Sequence, residues 1–317
     1  MMETTRCLCC GEPLKEEETL FHARCMKKLF RSTRVPVLNY TQEELNAIAK
    51  KTIRSRISVP GVQPKLSLHL ERGAASTRSR LALVGLEGNY ILKPQTPQWP
   101  FLPEAEHFCM LLARKCKIAT ADFALIPLKS GELAYITRRM DRSEDGMCHM
   151  EDFCQILNKM TEQKYNGSME QIGKAIREYS DVAGLDLIRF FELVLFCFLT
   201  GNSDMHLKNF SLIRRPDGHY ELAPAYDLVP VKIIMPEDKE ELALTLNGKK
   251  SNLKRTDFEQ FGATLKLSEA QVRNAVLYLT EAVAKALPAA LQASFLPQTM
   301  QKQIAELVLR QGAVFSK

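Results

Sequence analysis

Apolar residues crowd most densely between Leu185 and Leu199, where Phe190 and Phe191 precede Glu192 and the run Leu193 to Thr200 follows. The run falls well short of the roughly 20 residues that cross a bilayer, so it predicts a buried helix. Other helices are marked by their ends. Thr41 and Glu44 make a capping box ahead of Leu45, Ile48 and Ala49. Pro103 suits the first turn of a helix whose core face carries Phe108, Leu111 and Leu112. Ser268 and Gln271 cap a helix bearing Val272, Ala275, Val276 and Leu279, which Pro288 is expected to end. A further helix is predicted from Gln298 to Leu309, and a basic helical stretch from Met26 to Arg31, closed by Pro36.

Strand patterns dominate the first half. Leu66 to Leu70 alternates apolar and polar positions strictly. A turn at Gly88-Asn89 leads into Tyr90-Ile91-Leu92-Lys93. Ile118 to Leu128 and Leu133 to Thr137 read as strands around the turn Lys129-Ser130-Gly131-Glu132. Phe210 to Ile213 and His219 to Leu222 flank Asp217-Gly218, a hairpin signal. From about residue 150 the pattern is otherwise mainly helical.

Composition adds bounds. The chain has 317 residues, 45% hydrophobic and 25% charged, as in a soluble globular protein of one two-lobed body or two domains. A net charge of +6 permits an acidic partner without demanding nucleic acid, and no run of like charges stands out. No secretory or membrane segment is visible, which predicts a cytoplasmic protein with no membrane partner. Nine cysteines then belong to a reducing compartment. Cys109, Cys116, Cys148, Cys154 and Cys197 are expected as small core residues. Cys7, Cys9, Cys10 and Cys25 cluster instead. Cys7-x-x-Cys10 followed by His22-x-x-Cys25 fits a zinc knuckle, with Gly11 and Pro13 supplying turn chemistry. Packed reduced thiols fit too, and Cys9 between the ligand positions blurs the pattern.

The most informative stretch follows the apolar helix. In Gly201-Asn202-Ser203-Asp204-Met205-His206-Leu207-Lys208-Asn209-Phe210, an Asp and an Asn stand five residues apart, and Asp227 comes eighteen residues after Asn209. Phosphoryl transfer needs a carboxylate to take the hydroxyl proton and hard oxygen donors for magnesium, and this spacing follows that of a protein-kinase catalytic loop. Asp and Asn are also ordinary turn formers. Upstream residues bear on the choice. Lys93 ends a strand and precedes a helix carrying Glu106, in the order of a kinase Lys–Glu pair; Glu104 is the competing choice. Pro60-Gly61-Val62-Gln63-Pro64-Lys65 is a loop before a strand, suited to lying over phosphates, or a plain turn. Arg138, Arg139 and Met140 stand where a hinge would offer backbone groups to adenine, and equally suit a polar connection.

This ordered set strongly resembles the HipA family of bacterial serine/threonine kinase toxins over roughly residues 55 to 310. The short chain is most similar to the HipT-type toxins of three-component systems. The resemblance implies an α+β, two-lobed protein-kinase-like fold. Residues 1–38 would be a Cys-rich segment, 39–140 an N-lobe with antiparallel strands, and 141–317 a mainly helical C-lobe. It implies ATP and Mg2+ as cofactors, with Asp204 as catalytic base and Asn209 and Asp227 as magnesium ligands. Lys93 would contact phosphates, paired with Glu106. His206, Leu207, Lys208 and Tyr226 would lie beside the nucleotide, Pro60 to Lys65 would cover it, and Arg138 to Met140 would form the hinge. Ser58 matches the family's autophosphorylated serine; Arg56-Ile57-Ser58 keeps only the second of the two serines common in HipT-type loops, with Ser55 off the pattern. The implied substrate is a translation protein, an aminoacyl-tRNA synthetase. The implied partners are a HipB-like helix-turn-helix antitoxin, a HipS-like small protein, or both, with DNA reached only through the antitoxin.

Overall fold

The computed structural model describes residues 4–32, 34–54, 63–73, 79–85, 87–143 and 146–316. The chain divides into two compact units, one of Met1–Phe108, Ala121–Arg139 and Gln292–Leu296, the other of Cys109–Thr120, Met140–Leu291 and Pro297–Lys317.

The first unit begins with α1 (Ala23–Phe30) and α2 (Gln42–Arg54), the latter opened by the predicted capping box. Thr41 N–H donates to Glu44 Oε2 at 2.8 Å, and Glu44 N–H to Thr41 Oγ1 at 3.2 Å. Then come β1 (Leu66–Glu71), β2 (Arg80–Leu83), β3 (Tyr90–Lys93), α3 (Leu102–Lys115), β4 (Phe123–Pro127) and β5 (Leu133–Arg138). The strands form one antiparallel sheet in the order β2-β1-β3-β5-β4. In β1, Leu66 and Leu68 are buried while His69 and Glu71 are exposed, the result expected of strict alternation. Phe123 stacks on Tyr135 with centroids 6.0 Å apart on the Lys93 face of the sheet, and Phe30 of α1 meets Tyr90 at 5.6 Å on the other face, so rings cover both faces. The strand expected from Ile118 covers only its second half; before Phe123 the chain instead makes a parallel bridge from Thr120 to Ala225.

The second unit contains two short strands, β6 (Arg142–Ser143) and β7 (Gly146–Met147), then β8 (Met150–Asp152) and α4 (Phe153–Ile156). These are followed by α5 (Met169–Tyr179), α6 (Ala183–Thr200), β9 (Ser211–Arg214), β10 (Tyr220–Leu222) and α7 (Val231–Ile234). The unit closes with α8 (Arg255–Thr264), α9 (Glu269–Ala293) and α10 (Gln298–Gly312), α9 ending beside the first unit's residues in sequence. Strands β10, β9 and β8 pair antiparallel. The apolar helix α6 is buried along most of its length. Phe190 packs on Phe210 and Phe261, and Phe198 on Phe258 and Phe315, at 5.1–5.9 Å. Each such ring contributes about 1.5–3 kcal/mol by leaving water.

One expectation is corrected. Pro288 does not end its helix: it lies inside α9, which runs on to Ala293. Proline removes one helical hydrogen bond and crowds the carbonyl four residues back. Here Pro288 and Ala284 are both exposed, so water can serve the freed carbonyl, while Leu287 and Ala290 are buried and hold the helix through. Among the described residues, no helix is long and apolar enough to cross a membrane.

Candidate active site

Helix α6 delivers the Asp204 loop. Its C-cap is Gly201, in the left-handed region at φ 66, where a Cβ would come within 2.6 Å of Leu307 Cδ2. At its other end the buried Asp186 accepts from Leu222 N–H at 2.6 Å and from Ser180 Oγ at 2.7 Å. One carboxylate thereby ties α6 to β10, the strand that leads to Asp227.

After Gly201 the chain folds tightly. The Asn202 side chain accepts from Asp204 N–H at 3.3 Å, and Ser203 Oγ donates to Asp238 Oδ2 at 2.5 Å. Asp204 receives the Tyr165 hydroxyl on Oδ1 at 2.6 Å. Burial of the phenol oxygen, with the Asp204 carboxylate beside it, pushes the Tyr165 pKa above its ordinary value, so tyrosine keeps its proton and acts as donor. Asn209 is buried, and its Nδ2 donates to the Asp204 carbonyl at 2.9 Å. The atom that Asn209 can then offer a cation is Oδ1. His206 and Leu207 are buried beside it, the His206 ring edge-on to Tyr165 at 5.0 Å. Lys208 reaches Asp152 Oδ2 at 2.6 Å, and Asp152 also caps α4.

The second stretch is tied to the first by one phenol. Tyr226 Oη donates to the Lys208 carbonyl at 3.1 Å and pairs with Ser211 Oγ at 2.5 Å. Since Tyr226 precedes Asp227 and Lys208 precedes Asn209, the two predicted magnesium ligands stand on chain segments held side by side. Asp227 takes a left-handed backbone at φ 57, a conformation costly for a residue with a Cβ. Two hard oxygen donors, a carboxylate and an amide carbonyl, suit magnesium.

In the first unit, Lys93 Nζ lies 2.5 Å from Glu106 Oε1, both side chains being buried, and 5.3 Å over the Tyr135 ring. Glu104 instead accepts from Gln95 Nε2 at 2.7 Å, and burial pushes its carboxyl up to about 7, a poor counter-ion near neutral pH. Gln63 Nε2 donates to the Pro94 carbonyl at 3.4 Å, joining the end of the predicted covering loop to the residue after Lys93. Pro64 and Lys65 follow it into β1, Lys65 being exposed. Ser58, Pro60, Gly61 and Val62 lie outside the described residues, as does Ser55. Arg138 and Arg139 donate their N–H groups to Asp122 and Asn89 carbonyls, each at 2.8 Å, and the chain passes into the second unit at Met140. Cys7, Cys10, His22 and Cys25 come together, with ligand atoms within 4.8 Å of one another.

A family model described as the HipA-like C-terminal domain matches residues 57–287. The chain belongs to this family. Among curated relatives, the HipA-like chain is 32% identical over 229 residues to "Putative kinase Y4dM" of Sinorhizobium fredii, covering 68% of this chain and 55% of that protein. It is 28% identical to "Serine/threonine-protein kinase toxin HipA" of Shewanella oneidensis, covering 61% of this chain and 47% of that one. The chain thus spans about half the length of these two relatives. Its fold is similar to that of a solved Shewanella oneidensis HipA, HipB and operator DNA complex, with a TM-score of 0.68, 21% identity, and 80% of this chain and 64% of that chain covered. The fold is accordingly a two-lobed, kinase-like α+β fold.

Proposed function

We propose that this HipA-like chain is an ATP- and Mg2+-dependent serine/threonine protein kinase that acts as the toxin of a toxin–antitoxin system. The observation that carries this reading is the Asn209 amide bound to the Asp204 carbonyl. It fixes Asp204 and Asn209 within one loop and commits the amide nitrogen, so that Oδ1 is the atom Asn209 has for a cation. Asp204 orients the hydroxyl and takes its proton as the new bond to phosphorus forms and ADP departs. Asn209 Oδ1 and the Asp227 carboxylate hold magnesium, which when bound neutralises phosphate charge. Lys93, aligned by Glu106, contacts the phosphates. Gln63 to Lys65, with Pro60 to Val62 before them, cover the nucleotide, and Arg138 to Met140 border adenine. His206, Leu207, Lys208 and Tyr226 set the shape of the loop beneath the phosphates. Ser58 is the site of autophosphorylation: a phosphate there adds up to two charges to the covering segment and displaces it.

Similarity to a protein named as a kinase toxin, and to a HipA solved with HipB and operator DNA, supports a HipB-like antitoxin as partner; a HipS-like small protein is the alternative partner. The substrate class is a translation protein, an aminoacyl-tRNA synthetase. Incubating the purified chain with γ-labelled ATP and bacterial lysate tests this. Label is expected in one lysate protein besides the chain itself, as phosphoserine or phosphothreonine. Label confined to lipid or metabolites, or no transfer, would overturn it.

Tyr165 gives a finer test of the same site. Tyr165→Phe keeps the ring against His206 but removes the donor to Asp204. A hydrogen bond at this partly exposed position is worth about 1 kcal/mol, so the initial transfer rate is expected to fall by about fivefold with only a small change in thermal midpoint. An unchanged rate would mean that Tyr165 does not position Asp204.

A further inference from the structure

The cysteine cluster stands apart from this chemistry, in the first unit. Zinc held tetrahedrally by thiolate and imidazole places its ligand atoms roughly 3.5–3.8 Å apart. Cys10 Sγ lies 3.3 Å from His22 Nδ1, Cys25 Sγ lies 3.9 Å from the same atom, and all four ligand atoms fall within 4.8 Å of one another. The imidazole is oriented for this. Its Nε2 meets the Pro13 carbonyl at 2.8 Å, which puts the proton on Nε2 and turns the Nδ1 lone pair to the sulfurs.

The backbone supports thiolates here. His22 N–H points at Cys7 Sγ at 3.4 Å. Gly11 N–H closes the Cys7 turn at 2.8 Å, and Gly11 takes φ 72 with its Cα side against Ala293, where a Cβ would come within 2.3 Å of a carbonyl oxygen. Cys9, the residue that blurred the sequence pattern, lies beside Cys25 but outside the set of four, its Sγ meeting the Phe123 carbonyl at 3.4 Å. Three cysteines and one histidine remain, a soft, four-coordinate set that selects zinc and leaves no position for substrate.

The clamped segment grips the sheet that carries Lys93. Leu125 N–H donates to the Leu8 carbonyl at 2.8 Å, His107 Nε2 meets the Cys9 carbonyl at 3.1 Å, and Tyr90 Oη donates to the Leu29 carbonyl at 3.1 Å. Tyr90 shares β3 with Lys93, and His107 follows Glu106 on α3. We propose that Cys7, Cys10, His22 and Cys25 bind one structural zinc ion that fixes the N-terminal segment onto β3, β4 and α3.

Elemental analysis of the purified full chain is expected to give about one zinc per chain, as a closed structural site requires. Cobalt exchanged for zinc should give the visible d–d bands of a tetrahedral ion with thiolate charge transfer. Cys10→Ser and Cys25→Ser are expected to lose the metal, whereas Cys9→Ser keeps it. Less than about 0.2 zinc per chain in the unmodified protein, with no cobalt spectrum, would overturn the site whatever the variants do. Equal metal loss in Cys9→Ser and Cys10→Ser, both folded, would overturn the ligand assignment.

Discussion

Asp204→Ala is expected to lower phosphate transfer by about 10²–10⁴-fold, the range a positioned general base contributes. Folding should survive. Asn209 binds the Asp204 backbone carbonyl rather than its side chain, and Asn202 binds its N–H, so alanine keeps both loop contacts. What is lost is the acceptor of the Tyr165 hydroxyl, at a partly exposed position, worth no more than about 1 kcal/mol of stability. Transfer measured with labelled ATP, beside a thermal melt, separates the two quantities. Full activity in a folded Asp204→Ala protein would remove Asp204 from the chemistry and the proposed kinase mechanism with it.

Lys93→Met is expected to act on stability and activity together. Lys93 and Glu106 are buried against each other. Removing the cation strands a buried carboxylate, and breaking a buried pair this way costs about 3–5 kcal/mol. Lys93→Met combined with Glu106→Gln removes the stranded charge, so urea unfolding should recover most of that loss. Transfer should not return, because the double variant still lacks a cation for the phosphates. If the double variant regains both, Lys93 serves only to neutralise Glu106, and its proposed contact with nucleotide fails.

The parts of this chain that were legible beforehand are those whose signal is local. Thr41 and Glu44 declare a helix end within one turn, and Leu66 to Leu70 declare a half-buried strand within five residues. The Asp204–Asn209–Asp227 spacing stood out because it lies within one short loop and one hairpin, both local in sequence. Other features depend on partners far along the chain. The strand β2 buries only Leu81, and β8 is three part-exposed residues, so neither shows a periodic pattern. Tyr165 lies in a polar stretch with nothing to mark it, and only folding brings it 2.6 Å from Asp204, 39 residues away in sequence. Nothing in the sequence marks Asp186, at the start of the apolar run, yet it is the buried acceptor that holds β10. The choice between Glu104 and Glu106 required knowing which carboxylate faces β3, and the exclusion of Cys9 required knowing that β4 offers it a carbonyl. Pro288 misled because a rule for isolated helices ignores packing on the far side of the turn.

The hydroxyls of Ser203, Ser211 and Tyr226, close about the Asp204 loop, have a consequence for where phosphate can accumulate on the protein. Ser203 donates to Asp238, while Ser211 and Tyr226 bind each other. Ser203 and Ser211 are buried, and burial pushes the Tyr226 hydroxyl well above the usual phenol range, so its oxygen stays protonated and a poor nucleophile. On the proposed kinase reading, these side chains are poor acceptors of the chain's own reaction, and a mass spectrum of the incubated protein should carry its phosphate on peptides other than those holding Ser203, Ser211 and Tyr226.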